Sequence, residues 1–181
     1  MANIINTALL KTGNVLVTLG EKIMASGASL NPIQVPLLQM QSFLNTKLPG
    51  VLQGMLDSNY YLVDIATWKT MISFDWVHLK KYLTDKFDCD NYSFAFATHI
   101  SELYDISVST CYGQALDKNT HNLIGWHYWN TIITQESDGT KHLWFFEPQN
   151  SNLVEVVGQQ DIVMGNWVYK PVPGISKIIV F

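Results

Sequence analysis

The sequence predicts an α+β fold, in which helices precede a set of antiparallel strands. Residues 89–103 place apolar side chains at helical spacing, which predicts a helix buried along one side. Residues 106–116 alternate between apolar and polar side chains, which predicts a strand. Two more strand-like runs, at 126–135 and 142–146, flank a polar turn sequence. Helices followed by antiparallel strands are typical of α+β domains.

The first 57 residues are predicted to form a helical N-terminal segment, separate from a domain over residues 58–181. Apolar residues at helical spacing predict one helix within residues 5–23 and a second over 37–48. Pro49 is tolerated at the first position of a helix, so we expect a third helical turn after it. This segment contains no Cys or His. We interpret it as an arm, a packing layer or an oligomerisation element, through which a homo-oligomer could form.

In the second part, polar residues able to cap helices precede the apolar runs. Asp64 is expected to cap one helix, and Ser73 or Asp75 a second helix that reaches Leu83. A third helix is predicted to start near Cys89. The predicted strands lie at residues 106–116, 126–135, 142–146, 153–157 and 177–180.

Composition limits the classes of partner and location. The net charge is −4 and Lys and Arg are not clustered, which argues against nucleic acid and against a polybasic membrane anchor. No run approaches the ~20 apolar residues that span a bilayer, and no basic region precedes the first apolar run. We therefore expect a cytoplasmic protein, with association with a virus particle left open.

Three residues form a candidate catalytic group. A thiolate is the reactive form of cysteine, and a helix N-terminus or a nearby imidazolium lowers the pKa of a thiol. Cys89 opens the predicted helix and is the candidate nucleophile. His127 begins a strand and is the candidate base, while Glu147 ends the next strand and would orient the imidazole.

The register of the predicted hairpin supports this grouping. Residues 137–139, Ser-Asp-Gly, suit a three-residue loop with Gly in the left-handed position. The numbers of opposed residues then sum to 276. His127 and Glu147 become diagonal neighbours on one face, roughly 7–8 Å apart at the backbone. A two-residue loop would put them on opposite faces.

The cysteine and histidine residues allow other interpretations. Cys111 is expected to be a small buried apolar residue. A zinc site from Cys111, His121 and His127 fits no compact zinc spacing. The remaining histidines, His78, His99 and His142, are expected to be structural or exposed, as is His121.

Three short motifs carry a resemblance to known proteins. They are Asp88-Cys89-Asp90-Asn91-Tyr92, Gly125-Trp126-His127-Tyr128-Trp129-Asn130 and Phe146-Glu147-Pro148-Gln149. Over residues 60–157 the sequence resembles the papain-like cysteine protease domain at the C-terminus of Marasmius oreades agglutinin and related phage and bacterial proteins. The resemblance implies a papain-like core with Cys89 as nucleophile, His127 as base and Glu147 as the third member.

The resemblance also implies where this chain departs from the pattern. Asn91 stands where the family has a second carboxylate, and Trp126 where it has Gly. The agglutinin domain depends on calcium, for which Asp88 and Asp90 are the candidate ligands here; their alternative role is to cap the helix that starts near Cys89. The stretch of residues 127–130, His-Tyr-Trp-Asn, is also similar to the transglutaminase-like superfamily, in which the same arrangement transfers an acyl group to an amine.

The function expected from these residues is that of a thiol hydrolase cleaving a peptide or amide bond, without a required cofactor. The backbone N–H of Cys89 is one candidate donor to the oxyanion. Further substrate or oxyanion candidates are Gln149, Trp76, Trp129 and Asn130. The alternatives are a transglutaminase-like acyltransferase and a non-catalytic binding or structural protein on the same fold.

Overall fold

The computed structural model describes residues 30–158 and 161–181. The chain divides into two units, Met1–Asn31 and Pro32–Phe181, and the fold described below is that of the second unit. The helix predicted within residues 5–23 lies outside the described residues. The predicted division after residue 57 differs from the division in the structure, because residues 33–56 pair and pack within the second unit.

The described residues contain three α-helices, one short 3-10 helix and ten strands. The α-helices are α1 (Leu37–Lys47), α2 (Ile65–Phe74) and α3 (Cys89–Tyr104), and the 3-10 helix is Val77–Leu79. The strands are β1 (Ile33–Pro36), β2 (Leu52–Met55), β3 (Asn59–Leu62), β4 (Ser109–Asp117), β5 (Leu123–Gln135), β6 (Lys141–Glu147), β7 (Asn152–Glu155), β8 (Ile162–Met164), β9 (Trp167–Lys170) and β10 (Lys177–Val180). The predicted α+β class is confirmed.

One eight-stranded sheet organises the unit. Its strands follow the order β2-β10-β4-β5-β6-β7, and β9 pairs with the second half of β4 and with β8. All these pairs are antiparallel except β2 with β10. β1 and β3 form a separate antiparallel pair. Strand β4 therefore has β5 along one edge and both β10 and β9 along the other.

Local sequence explains where the helices begin. Asp64 Oδ1 accepts a hydrogen bond from the N–H of Thr67 at 2.7 Å, so Asp64 caps α2 as predicted. Helix α3 starts at Cys89, also as predicted. There the side chain of Asn91 accepts a hydrogen bond from the N–H of Asp88 at 3.2 Å.

Two predicted helical stretches are corrected. The turn expected after Pro49 is strand β2, because parallel pairing with β10 satisfies its backbone and overrides the helical spacing of its apolar residues. The helix expected to reach Leu83 ends after the 3-10 turn. The carbonyl of Lys80 accepts a hydrogen bond from the Tyr92 hydroxyl, and Leu83 bridges to Phe87, so both residues have partners that a continued helix would exclude.

The core lies between the sheet and its covering elements. Met40 and Leu44 of α1 pack in one cluster with Trp129 and Phe145 of the sheet. On α3, Phe96 is fully buried, and its ring lies 4.5 Å from that of Phe146. Within the described ranges, no helix is both long and apolar enough to cross a membrane.

Candidate active site

Cys89 is the first residue of α3 and is partly exposed. Its position at the start of a 16-residue helix places the thiol where the peptide dipoles favour negative charge. One turn further along, Ser93 ties the helix to β5. Its hydroxyl donates to the carbonyl of Trp129 at 3.1 Å, and its own carbonyl accepts from Asn130 Nδ2 at 3.0 Å. These buried bonds fix the position of Cys89 along β5.

The predicted register of the hairpin is confirmed. Asn130 opposes Phe146 and Gln135 opposes Lys141, so the paired numbers sum to 276. Gly139 has a φ of +87°, as the three-residue loop requires. His127 and Glu147 consequently lie on one face of the β5–β6 ladder.

The imidazole of His127 and the carboxylate of Glu147 are in direct contact. His127 Nε2 lies 2.6 Å from Glu147 Oε2, and both side chains are buried. The hydroxyl of Tyr169 donates to the same Oε2 at 2.8 Å, and the N–H of Gln149 donates to Oε1 at 3.1 Å. Three donors thus surround a carboxylate that is 2% exposed, which offsets the cost of burying its charge.

The pKa of His127 reflects this pairing. Burial lowers the pKa, but hydrogen bonds to Cys89 and Glu147 and their negative charges outweigh burial and raise it to about 9. Because Glu147 occupies Nε2, Nδ1 is the ring nitrogen that remains for Cys89. The imidazole therefore lies between a thiol and a carboxylate and favours its protonated form at neutral pH.

Aromatic rings enclose the histidine. The rings of Trp167 and Tyr169 lie edge-on to His127 at 5.3 and 5.4 Å, and that of Trp129 is nearly parallel to it at 6.4 Å. Gly113 opposes His127 on β4. A Cβ at Gly113 would lie 2.6 Å from the Trp129 ring and 2.8 Å from the carbonyl oxygen of Lys170, so this close packing requires glycine.

The two cysteines occupy different environments. Cys111 on β4 is fully buried, and burial raises the pKa of its thiol well above the ordinary range, as expected for a small apolar core residue. Cys111, His121 and His127, the residues of the alternative zinc site, do not form a group that could hold a metal. Among residues 30–158 and 161–181, no three potential ligands from His, Cys, Asp and Glu lie close enough to hold a metal.

The predicted substrate or oxyanion candidates lie in different surroundings, two beside the His127–Glu147 pair and two in hydrogen bonds elsewhere. Gln149 adjoins the site through its backbone N–H, and Trp129 is fully buried beside His127. The prediction that Asn130 binds substrate or the oxyanion is corrected, because its Nδ2 donates to the carbonyls of Ser93 and Ser109 and joins α3 to the sheet. The same prediction for Trp76 is also corrected, because its Nε1 donates to His99 Nε2 at 3.2 Å.

Asp88 and Asp90, the candidate calcium ligands, flank Cys89. Asp88 Oδ2 accepts from the N–H of Asp85 at 3.3 Å, and Asp90 Oδ1 from the N–H of Asn91 at 2.9 Å. A hydrogen bond with Asp88 is the main cause that raises the pKa of Asp90. Calcium binding by Asp88 and Asp90 stays a prediction.

Tyr169 and Trp167 are the site residues that sequence reasoning missed. Both come from β9, in a segment where we predicted no strand. The alternation of Trp167, Val168 and Tyr169 was the available signal for a strand. Nothing in these residues indicates that β9 pairs with β4 and so approaches Glu147.

The structure is similar to several solved structures. It matches a PSL1a–E64 complex with a TM-score of 0.52 and 14% identity, over 81% of this chain and 50% of that chain. It also matches Polyporus squamosus lectin bound to the human-type influenza-binding epitope Neu5Aca2-6Galb1-4GlcNAc, with a TM-score of 0.48 and 17% identity over 66% of this chain and 44% of that chain.

No protein-family model matches the chain, and no curated protein is significantly similar to it in sequence. The chain spans half the length of the PSL1a chain. The likeness to PSL1a, at this identity, shows that the described unit shares its fold with part of the PSL1a chain.

Proposed function

We propose that the protein is a cysteine hydrolase with a papain-like core, which cleaves a peptide or amide bond. The observation that carries the proposal is the position of the His127 imidazole between Cys89 and the buried carboxylate of Glu147, with its pKa raised to about 9. A protonated imidazole beside the thiol favours the thiolate, which is the nucleophilic form.

The proposed reaction has two stages. The Cys89 thiolate attacks the substrate carbonyl and forms a C–S bond, and His127 gives its proton to the leaving amine as the C–N bond breaks. His127 then removes a proton from water, which attacks the thioester and releases the carboxylic acid and the thiolate. Glu147 holds the ring orientation throughout. The N–H of Cys89, in the first turn of α3, is the proposed oxyanion donor.

Alkylation by iodoacetamide at pH 6, followed by peptide mapping, tests the ion pair directly. We expect Cys89 to react fast and Cys111 slowly, because Cys111 is fully buried. The substitution His127→Ala should slow the alkylation of Cys89. Equal, slow reaction of both cysteines with no effect of His127→Ala would refute the catalytic proposal and favour a binding or structural protein on this fold.

A covalent inhibitor and the identity of the acyl acceptor provide two further tests. E64, the compound in the PSL1a complex, is the first inhibitor to test, with a covalent adduct on Cys89 as the expected result. Peptide cleavage without amine incorporation would support hydrolysis. Incorporation of an amine into a glutamine peptide would support the transglutaminase-like alternative instead.

A further inference from the structure

Tyr169 contributes a group to the site from a strand that carries none of the motifs. Its hydroxyl donates to Glu147 Oε2 at 2.8 Å, and His127 Nε2 contacts the same oxygen at 2.6 Å. Tyr169 is 2% exposed. The hydroxyl and the imidazole therefore share one carboxylate oxygen inside the protein.

We propose that Tyr169 is a positioning residue that holds the Glu147 carboxylate against His127, so that four side chains act together at the site. The inference rests on the proposed function, which assigns the chemistry to Cys89 and His127. It adds that β9 is a required part of the active site.

The hydroxyl is suited to this role because it remains a donor. Burial, followed by the negative charge of Glu147, raises the pKa of Tyr169 far above its ordinary value. The hydroxyl therefore keeps its proton across the pH range in which a thiol and an imidazole exchange theirs. A neutral donor to a buried carboxylate stabilises the charged form without introducing a competing cation.

The position of Tyr169 is set by the sheet rather than by Glu147. Tyr169 opposes Ala115 on β4 and Ile162 on β8. Its ring lies edge-on to His127 at 5.4 Å and to Trp129 at 5.3 Å. Tyr169→Phe retains this ring packing and removes one hydrogen bond, so the variant isolates the donor.

The experiment compares Tyr169→Phe, Glu147→Gln and the double variant with wild type. We expect Tyr169→Phe to slow iodoacetamide alkylation of Cys89 at pH 6 by roughly tenfold, the scale of a hydrogen bond to a charged group. In the Glu147→Gln background the same substitution should have little further effect, because the charge that it positions is absent. Effects that multiply in the double variant would show a merely structural role and overturn the proposal.

A second readout does not depend on Cys89 chemistry. The pKa of His127, followed by NMR and assigned with His127→Gln, should be lower in Tyr169→Phe than in wild type, because the carboxylate charge is less firmly held beside the ring. An unchanged pKa would overturn the proposal even if Cys89 proved unreactive in wild type, the result that defeats the proposed function.

Tyr112→Phe provides the matched control. Tyr112 lies on β4, is partly buried and contacts the rings of Trp126 and Tyr128. This control should leave both alkylation and the pKa of His127 unchanged. Equal effects of the two Tyr→Phe variants would assign the loss to general destabilisation and contradict the proposal.

Discussion

Two histidine–carboxylate pairs of the described unit, each with a buried carboxylate, differ in what faces the second ring nitrogen of the histidine. In one pair, His127 contacts Glu147 at 2.6 Å; in the other, His99 Nδ1 contacts Asp75 Oδ1 at 3.0 Å. His127 has Cys89 as its other partner. His99 Nε2 instead accepts a hydrogen bond from Trp76 Nε1.

A buried carboxylate beside a histidine can serve the fold alone, as the His99 pair does. The indole N–H is a donor only, so His99 Nε2 must act as acceptor and Nδ1 must donate to Asp75. Both nitrogens of His99 are then committed to the fold. Asp75 also accepts from the N–H of Val77 at 3.0 Å, so this second pair ties the 3-10 turn to α3. The difference lies in the third partner, a thiol in one pair and an indole in the other.

The largest expected effects come from replacing Glu147 and Asp75 by their neutral amides. These variants should distinguish the proposed catalytic role of the His127 pair from the structural role of the His99 pair. Glu147→Gln should slow alkylation of Cys89 at pH 6 by about 10- to 100-fold, the scale for partners that orient a reactive group. Asp75→Asn should leave alkylation unchanged and lower the free energy of unfolding by about 1–3 kcal/mol, because buried hydrogen bonds to a charge are lost. Denaturant unfolding and the rate of alkylation measure the two effects. Slower alkylation of Cys89 in Asp75→Asn would show that the two pairs do not have separate roles.

The pH dependence of stability should distinguish the two histidines. The pKa of His127 is about 9 in the folded protein and 6.5 ordinarily, so the folded state binds the extra proton. This contribution is fully present below pH 6.5 and is lost as pH rises through 9. At ~1.36 kcal/mol per pKa unit it amounts to about 3 kcal/mol.

Unfolding by urea between pH 6 and 9.5 measures this contribution. His127→Gln should remove the fall in the free energy of unfolding across the range, because the titrating ring is absent. His99→Gln should retain the fall, whatever its effect on stability at a single pH. An identical pH slope in wild type and His127→Gln would contradict the raised pKa.

His127 and Glu147 could be grouped from sequence because their geometry is local. Residues 137–139 specify a three-residue loop, and that loop fixes which residues of β5 and β6 share a face. The start of α3 was also predictable, since apolar periodicity begins at Cys89. Short-range rules thus placed His127 beside Glu147 before any long-range contact was known.

The missed parts depend on pairing between distant segments. Tyr169 reaches Glu147 because β9 pairs with β4, more than 50 residues earlier in the chain. The apolar spacing of strand β2 predicts a helical turn, but parallel pairing with β10 makes it a strand. Asn130 and Trp76 were among the substrate or oxyanion candidates. Their donors are committed to Ser93, Ser109 and His99.

The smallest expected effect concerns Trp76, for which a role in the site and a role in the fold make opposite predictions. Trp76→Phe removes the hydrogen bond to His99 and weakens the contact with Lys80 Nζ, which lies 4.4 Å from the indole ring. The free energy of unfolding should fall by about 1 kcal/mol. Alkylation of Cys89 should stay at the wild-type rate, as should peptide cleavage once a substrate is known. Slower cleavage, with stability and alkylation unchanged, would instead mean that the indole N–H leaves His99 to bind the substrate. The two histidine pairs would then belong to one site.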